Sequence, residues 1–173
     1  MTSRRIASAV LFVLCVTGTV VSAADRVVFV VRHAERADAA GETPPAGMMA
    51  NDPPLSAAGR ERAKRLALLL SSAEVSQIFT TELARTKQTA APLAEAVKVP
   101  ATVTPSRDTA ALALQVRNAS GNVLVVGHSN TIPELLKQLG VSTPVSIGDN
   151  DYDNLFVVVR HAAGEPTLVR LRY

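Results

Sequence analysis

Two of the chain's three histidines lie one residue beyond short apolar runs. The run at 27–31 leads through Arg32 to His33. The run at 123–126 is followed, one residue later, by His128. Apolar runs of this length are typical of strands that are buried on both faces of a sheet. Because reactive groups gather beyond the carboxyl ends of the strands in open α/β sheets, we expect both histidines at that edge.

Two arginines indicate which chemistry these histidines would carry out. Arg32 precedes His33, and Arg85 lies just beyond a further predicted strand. Two guanidinium groups that converge on one place suit a phosphate or a carboxylate, because each planar fork binds paired oxygens. A histidine among them can attack phosphorus and form a phosphohistidine, which water then hydrolyses.

The same neighbours would tune the two histidines. Positive charges nearby lower the pKa of a histidine, which would keep His33 in its neutral and nucleophilic form near neutral pH. His128, either protonated or donating a hydrogen bond, would stabilise the oxygens of the transferring group. Glu35 follows His33 by two residues and is expected to support and orient this set of side chains.

The segments between these residues alternate between strand-like and helix-like patterns. Ser56 is a predicted N-cap, and leucines at helical spacing follow it to about residue 73. The alternation predicts an α/β fold in three layers, with a mostly parallel sheet and helices on both of its faces. The other predicted elements are strands at 75–79, 101–104, 155–160 and 167–171 and helices at 84–97, 109–118 and 131–139.

The N-terminus has the layout of a secretory signal peptide. Arg4 and Arg5 precede an apolar stretch at 6–21, and small residues follow it. We expect residues 1–23 to be removed and the protein to be periplasmic or secreted. A retained membrane anchor is the alternative, although the apolar stretch is short for a span. Residues 25–173 would then form a single domain.

Composition narrows the expected partners of the mature chain. Cleavage would remove the only cysteine, so the mature protein could not form disulfides. Loss of two arginines takes the basic residues from 18 to 16 against 15 acidic ones, so the net charge falls from +3 to +1. No basic run with interleaved aromatic residues is present, and nucleic acid is therefore not an expected partner. We also expect no stable membrane association after signal cleavage.

Four short segments resemble, in order, the motifs of the histidine phosphatase (phosphoglycerate mutase-like) superfamily, and of its small branch in particular. Residues 32–35 read Arg-His-Ala-Glu, which resembles the Arg-His-Gly/Ala-Glu signature of that family. Residues 55–60 are similar to its Leu-Thr/Ser-x-x-Gly segment. Residues 81–90 are similar to its Ser-x-x-x-Arg-Ala/Thr-x-Gln-Thr-Ala helix start, and residues 127–130 resemble its second-histidine motif.

The resemblance implies a phosphomonoesterase that uses no metal and no organic cofactor. His33 would be the nucleophile, Arg32 and Arg85 would bind phosphate, and His128 would complete the pocket. The expected partner is a small phosphorylated substrate or a phosphorylated side chain. The connection at 105–108 is only four residues long. It is too short for a lid that excludes water, which favours hydrolysis over a mutase reaction.

The resemblance does not identify the proton donor for the leaving group. In the small branch the donor is a glutamate in the loop after the third strand, where this chain has Asp108. Asp108 is therefore the tentative donor, although it is equally placed to be an ordinary N-cap of the next helix. Glu82 is the second candidate. The position directly after the second histidine, which holds an aspartate in the large branch, is Ser129 here.

A serine hydrolase is one alternative to this hypothesis. Ser129 lies in a segment that resembles a nucleophile elbow, and later aspartates followed by His161 reproduce the order Ser-Asp-His. Against this alternative, Thr131 replaces the glycine that closes such an elbow. We expect His161 instead to be an exposed residue at a strand end.

Two further alternatives concern the function of the predicted pocket. His33, Glu35 and His128 are possible metal ligands in principle, but the flanking guanidinium groups would repel a cation. A catalytically weak or inactive phosphate- or phosphoprotein-binding module is the main non-enzymatic alternative, because no clear proton donor is evident.

The region 37–54 is rich in alanine, glycine and proline and is expected to be a long loop, either facing the substrate or simply mobile.

Overall fold

The computed structural model describes residues 25–42 and 51–173, which contain six strands and four helices. Strands and helices alternate as far as the fourth helix, and two consecutive strands follow it. Every predicted element is present; the largest difference is that the first helix ends at Leu70 rather than at about residue 73. Glu74 has a φ of 51° in the turn that follows. The strands are β1 (Arg26–Arg32), β2 (Val75–Thr80), β3 (Ala101–Val103), β4 (Asn122–Gly127), β5 (Asn154–Arg160) and β6 (Thr167–Arg172). The helices are α1 (Ala57–Leu70), α2 (Ala84–Val97), α3 (Thr109–Asn118) and α4 (Ile132–Gln138).

The six strands form one mixed sheet in the order β3-β2-β4-β1-β5-β6. The four strands β3, β2, β4 and β1 are parallel, whereas β5 and β6 are each antiparallel to their neighbours and form a hairpin. Parallel pairing of β1 with β4 places Arg32 opposite Gly127, so the carboxyl ends of these strands lie side by side. The predicted α/β fold with a mostly parallel sheet is confirmed.

The central strands are buried on both faces because helices cover both sides of the sheet. In β4, Val123 and Val125 pack into a cluster with α3 and α4. Leu124 and Val126 point to the other face and pack against α1 and α2. All four side chains are at most 1 % exposed. This alternation of sides along a strand gives the expected three layers, with the sheet in the middle.

The beginning of α1 packs against the main chain just beyond β1. Ser56 caps the helix as predicted: its Oγ accepts a hydrogen bond from the N–H of Gly59 at 3.0 Å. The Ser56 N–H donates to the carbonyl oxygen of Glu35 at 2.9 Å. A Cβ atom at Gly59 would lie 2.3 Å from that same oxygen, so only glycine permits this approach. The helix therefore fixes the main chain two residues after His33.

Two predicted regions fall partly or wholly outside the described residues. The predicted loop at 37–54 is described at both ends, while residues 43–50 are outside the description. An isolated antiparallel bridge between Arg36 and Leu55 closes the loop near its base. The predicted signal peptide at 1–23 also lies outside the described residues. Within the described part of the chain, no helix has the length and apolar character needed to cross a membrane.

Candidate active site

The carboxyl ends of β1 and β4 open into a pocket of about 380 Å³. Its walls contain the four side chains that the sequence predicted to meet there: Arg32, His33, Arg85 and His128. The two imidazole rings lie edge to face, with 5.3 Å between their centroids. A second, more apolar pocket of about 470 Å³ lies between α1 and α2 but has no histidine in its walls. We therefore place the candidate chemistry in the first pocket.

The ring of His33 is held by its own main chain. Its Nδ1 atom lies 2.8 Å from the carbonyl oxygen of Ala34. Because a carbonyl oxygen can only accept a hydrogen bond, Nδ1 carries the hydrogen and Nε2 keeps its lone pair. The backbone N–H of His33 also donates to the carbonyl oxygen of Gly127 at 2.9 Å. These contacts leave Nε2 as a nucleophilic nitrogen on a fixed ring.

Burial keeps His33 neutral. The side chain is 3 % exposed, and burial lowers its pKa from 6.5 to about 3. The hydrogen bond to Ala34 works against this shift, while His128, Arg85 and Arg32 add to it. The sequence predicted the direction of the shift but attributed it to the arginines. Burial is the larger cause.

His128 is also neutral in the described pocket. Burial, followed by the positive charge of Arg85, lowers its pKa to about 4, and the carboxylate of Glu82 opposes this shift. A protonated His128, one of the two possibilities that the sequence offered, is therefore not the resting state near neutral pH. Its Nε2 atom lies 3.2 Å from the hydroxyl of Thr81, a residue that the sequence marks only as the start of a motif.

A loop that precedes β5 holds the guanidinium group of Arg32. Its Nη1 donates to the carbonyl oxygens of Gly148 and Asp149, each at 2.8 Å. The ring of Tyr152 lies 4.1 Å from the Arg32 Cζ atom, which is a cation–π contact, and 6.0 Å from the ring of His33. Sequence reasoning missed these contacts, because they depend on the insertion of β5 beside β1.

Asp52 fixes the start of α2, where Arg85 enters the pocket. Both carboxylate oxygens of Asp52 accept from the Ala84 N–H at 2.9 Å, as expected for an anion at a helix N-terminus. One of them lies 3.7 Å from Nη1 of Arg85. That separation is too long for a hydrogen bond, so the guanidinium fork stays available to bind an oxyanion. Asp52 was not among the site residues predicted from the sequence.

Glu35 does not support the four pocket side chains in the way that the sequence predicted. Its carboxylate accepts from Nη2 of Arg62 at 2.6 Å. Burial alone would raise the pKa of Glu35, but the hydrogen bond and the charge of Arg62 outweigh it and lower the pKa. Arg62 in turn donates to the carbonyl oxygen of Tyr173 at 2.8 Å. The side chain of Glu35 thus ties the end of β1 to α1 and to the end of β6.

The two candidate proton donors have different positions. Asp108 accepts from the Ala111 N–H at 2.9 Å and caps α3, so the structure brings it into the helix cap and not into the pocket wall. Glu82 accepts from the N–H and hydroxyl of Ser106, a pocket residue, at 2.7 Å and 2.8 Å. Burial alone would raise the pKa of Glu82, but the hydrogen bonds from Ser106 outweigh it and lower the pKa.

The residues of the serine hydrolase alternative lie far apart. Ser129 lines the pocket beyond the carboxyl end of β4. His161 is an exposed strand-end residue, as expected, and contacts Asp25 at 3.2 Å and Thr167 at 3.1 Å. Asp25 precedes β1, and parallel strands place their two kinds of end at opposite edges of a sheet. His161 therefore cannot form a triad with Ser129. In the described ranges, no group of three or more His, Cys, Asp or Glu side chains could hold a metal ion.

A family comparison agrees with the pocket. Residues 28–108 match the model of the histidine phosphatase superfamily (branch 1). This chain belongs to the histidine phosphatase superfamily. The matched span includes Arg32, His33 and Arg85, and the fold adds His128 to the same pocket. The membership that the four motifs predicted is therefore confirmed.

Solved structures share the fold at low sequence identity. The protein histidine phosphatase SixA in complex with tungstate matches with a TM-score of 0.63 and 19 % identity, covering 84 % of this chain and 96 % of that chain. Mycobacterial hydrolase 1 matches with a TM-score of 0.63 and 16 % identity, covering 86 % of this chain and 98 % of that chain. Mycobacterial glucosyl-3-phosphoglycerate phosphatase matches with a TM-score of 0.61 and 15 % identity, covering 87 % of this chain and 99 % of that chain. No curated protein sequence matches the chain.

Proposed function

We propose that the protein is a phosphomonoesterase that acts through a phosphohistidine on His33. One observation carries this proposal: Nδ1 of His33 is bound to the Ala34 carbonyl oxygen, which leaves the Nε2 lone pair in a pocket with two arginines. Burial keeps this ring neutral, so the lone pair is available near neutral pH. A neutral nucleophile beside two cationic forks suits attack on a bound phosphate group.

The reaction follows from these positions. The guanidinium groups of Arg32 and Arg85 bind oxygens of the phosphoryl group. Nε2 of His33 attacks phosphorus, and the new P–N bond forms as the ester P–O bond breaks. The leaving oxygen takes a proton from an acid and departs as an alcohol. A water molecule then gives a proton to the conjugate base of that acid and attacks phosphorus, the P–N bond breaks, and inorganic phosphate and neutral His33 are released.

Of the two carboxyl groups that the sequence offered as the acid, Glu82, the second choice, contacts the pocket; because its pKa is lowered, it must take up a proton before it can donate one. Ser106, which lines the pocket, donates to the carboxylate of Glu82, whereas Asp108 is engaged in a helix cap. The variant Glu82→Gln should lose more activity on alkyl phosphates, whose leaving groups need a proton, than on aryl phosphates with acidic leaving groups. Asp108→Asn is the matched control. Equal losses on both substrate types would exclude Glu82 as the donor.

The phosphatase proposal is tested on the purified mature chain with an aryl phosphate. His33→Ala should reduce turnover to the background rate, because it removes the proposed nucleophile. His161→Ala makes the same change at an exposed position far from the pocket and should retain activity. Turnover by His33→Ala would overturn the mechanism. Binding of phosphate by the wild type without turnover would favour the non-catalytic binding module.

We propose hydrolysis rather than isomerisation, on a small phosphate ester or a phosphorylated side chain. The support is the four-residue connection Pro105 to Asp108, which offers no lid to exclude water. One structural neighbour is named as a protein histidine phosphatase, and another as a glucosyl-3-phosphoglycerate phosphatase. Incubation with 3-phosphoglycerate should release inorganic phosphate, if it reacts. Efficient formation of the 2-isomer without phosphate release would contradict this proposal.

We also propose that the protein works outside the cytoplasm, after removal of residues 1–23. The support is the basic start, the apolar stretch at 6–21 and the small residues that follow. Intact-mass measurement of the protein from its native compartment would test this. A mass that includes residues 1–23 would contradict the proposed cleavage.

A further inference from the structure

A pair of buried hydroxyl groups contacts the ring of His128. Thr81 follows β2, and Thr86 lies in the first turns of α2. Their Oγ1 atoms are 2.9 Å apart, and Oγ1 of Thr81 is 3.2 Å from Nε2 of His128. Thr81 is 4 % exposed and Thr86 is fully buried. The direction of the hydrogen bonds in this short chain decides which nitrogen of His128 carries hydrogen.

The hydroxyl of Thr86 determines that direction. Its Oγ1 donates towards two carbonyl oxygens, that of Leu83 at 2.9 Å and that of Thr81 at 3.1 Å. Among the described residues, the Thr81 carbonyl has no other hydrogen-bond donor. Leaving a buried carbonyl without a donor is costly, and a carbonyl can only accept. The single hydroxyl hydrogen of Thr86 is therefore used on these carbonyl oxygens.

The remaining hydrogens follow from this assignment. Thr81 must donate its own hydroxyl hydrogen to Oγ1 of Thr86, since Thr86 has no second hydrogen to offer. Oγ1 of Thr81 then has only lone pairs left for the His128 ring. His128 must consequently donate from Nε2, which fixes the tautomer with hydrogen on Nε2 and a lone pair on Nδ1.

The lone pair on Nδ1 faces the pocket. Nδ1 has no hydrogen-bond partner among the residues that the structure describes, yet it is not one of the fully buried unpartnered atoms. His128 itself lines the pocket, so this nitrogen is reached from there. A phosphate oxygen and a lone pair repel one another unless a proton lies between them.

We infer that Thr81, oriented by Thr86, holds His128 with Nδ1 as an acceptor, so that bound phosphate and His128 share one proton. This inference deepens the proposed function and rests on it for the identity of the ligand. Thr81 is a positioning residue, because it contacts the ring and not the phosphate. The charged or titratable groups that act on His128 are Arg85, Arg32, Glu82 and the ring of His33. Of these, the carboxylate of Glu82 favours the extra proton and the two arginines oppose it. The charged residues Arg36, Arg107 and Asp149 also line the pocket.

The tautomer is tested by ¹⁵N NMR of the imidazole nitrogens in the wild-type protein without ligand, near neutral pH. His128 should show a protonated Nε2 and an unprotonated Nδ1, whereas His33 should show the opposite tautomer because of Ala34. Thr81→Ser keeps the hydroxyl and should keep the pattern. Thr81→Val removes the acceptor and should allow the other tautomer of His128. A wild-type His128 with hydrogen on Nδ1 would overturn the inference.

The shared proton is tested by the pH dependence of inorganic phosphate binding, measured by calorimetry. Above the second ionisation of phosphate, wild-type affinity should fall by up to about tenfold per pH unit, since a proton must be taken up with the dianion. Thr81→Val should show a shallower dependence, because His128 can then donate from Nδ1 without an added proton. Thr81→Ser should restore the wild-type slope.

The controls separate this inference from the phosphatase proposal. Thr102→Val makes the same chemical change on the exposed strand β3 and should keep the wild-type slope. Equal slopes for the wild type and Thr81→Val would overturn the shared proton. Neither measurement requires turnover, so an inactive protein with the expected tautomer and slope would contradict only the phosphatase proposal. If phosphate does not bind, the NMR tautomer alone decides.

Discussion

The two histidines of the pocket follow neighbouring parallel strands, yet different kinds of contact hold them. At the end of β1, the carbonyl oxygen of the next residue fixes the ring of His33. At the end of β4, the hydroxyl of Thr81, which comes from another part of the chain, contacts the ring of His128. Main-chain contacts survive substitution of neighbouring side chains, whereas a hydroxyl contact does not. The backbone therefore sets the orientation of His33, the proposed nucleophile, whereas the state of His128 depends on side chains.

The largest expected difference between the two strand ends is in activity. His33→Ala removes the proposed nucleophile and should reduce turnover of an aryl phosphate to background. His128→Ala removes a group that we propose stabilises the phosphoryl oxygens and should cost about 10²- to 10³-fold in kcat. Steady-state kinetics of both variants measures this difference. Equal residual activities would show that the two histidines do not have separate roles.

The next expected effect is on stability as a function of pH. In the unfolded chain each histidine binds a proton below about pH 6.5. In the folded chain the pKa is about 3 for His33 and about 4 for His128. Between its folded-state pKa and its unfolded-state pKa, each histidine binds more protons in the unfolded chain than in the folded chain. The free energy of unfolding should therefore fall as the pH falls through this window, and this contribution is fully present above it.

Substitution of His33, the histidine whose pKa is lowered more, isolates its contribution to the pH dependence of stability. His33→Gln cannot take up the proton, so its stability should fall by about 1.4 kcal/mol less per pH unit than that of the wild type between about pH 6 and pH 4. Urea unfolding at a series of pH values provides the measurement. Both proteins contain the same carboxylates, so the contribution of these groups to the pH dependence cancels in the comparison. Parallel curves for the two proteins would show that burial does not depress the pKa of His33.

The sequence predicted the pocket best where strand geometry alone determines position. The apolar runs before His33 and His128 identified two central parallel strands, and their carboxyl ends must then lie together. Arg85 followed the same rule, because α2 begins just beyond the neighbouring strand β2. For such residues, the order of elements in the sheet is sufficient information.

The carboxylates show where sequence reasoning stops. Glu35 and Asp108 lie within a few residues of strand ends, but their side chains turn to Arg62 and to the cap of α3. The direction of a side chain in a loop depends on local turns and on distant partners, which spacing does not encode. Tyr152 and Asp52 were missed for the same reason, since each enters through a loop whose course the sequence pattern leaves open.

Two glycines allow the packing at the two strand ends to be compared. A Cβ atom at Gly59 would meet the carbonyl oxygen of Glu35 at 2.3 Å, which is main chain next to the end of β1. A Cβ atom at Gly127 would meet the side chain of Ile132 at 3.2 Å. Because a side chain yields more easily, Gly59→Ala should cost about 1–3 kcal/mol of unfolding free energy and Gly127→Ala less. Chemical denaturation measures both losses. A larger loss for Gly127→Ala than for Gly59→Ala would contradict the prediction that the main chain at the end of β1 is rigid.

The smallest expected effect tests whether the end of β1 depends on any outside side chain. The ring of Tyr152 lies over the Arg32 guanidinium at 4.1 Å. A cation–π contact of this kind contributes about 0.5–2 kcal/mol, so Tyr152→Leu should weaken phosphate binding by about 2- to 30-fold. Tyr152→Phe keeps the ring and should bind phosphate almost as the wild type does.

The two Tyr152 variants together distinguish orientation from hydrogen bonding. If the ring face holds Arg32, the loss with leucine appears mainly in KM and is absent with phenylalanine. The carbonyl oxygens of Gly148 and Asp149 still bind Nη1 in both variants, so kcat should change little. A comparable loss in both variants would assign the effect to the phenolic hydroxyl instead. No loss in either would mean that main-chain contacts alone orient Arg32, which would extend the backbone control seen at His33 to the whole end of β1.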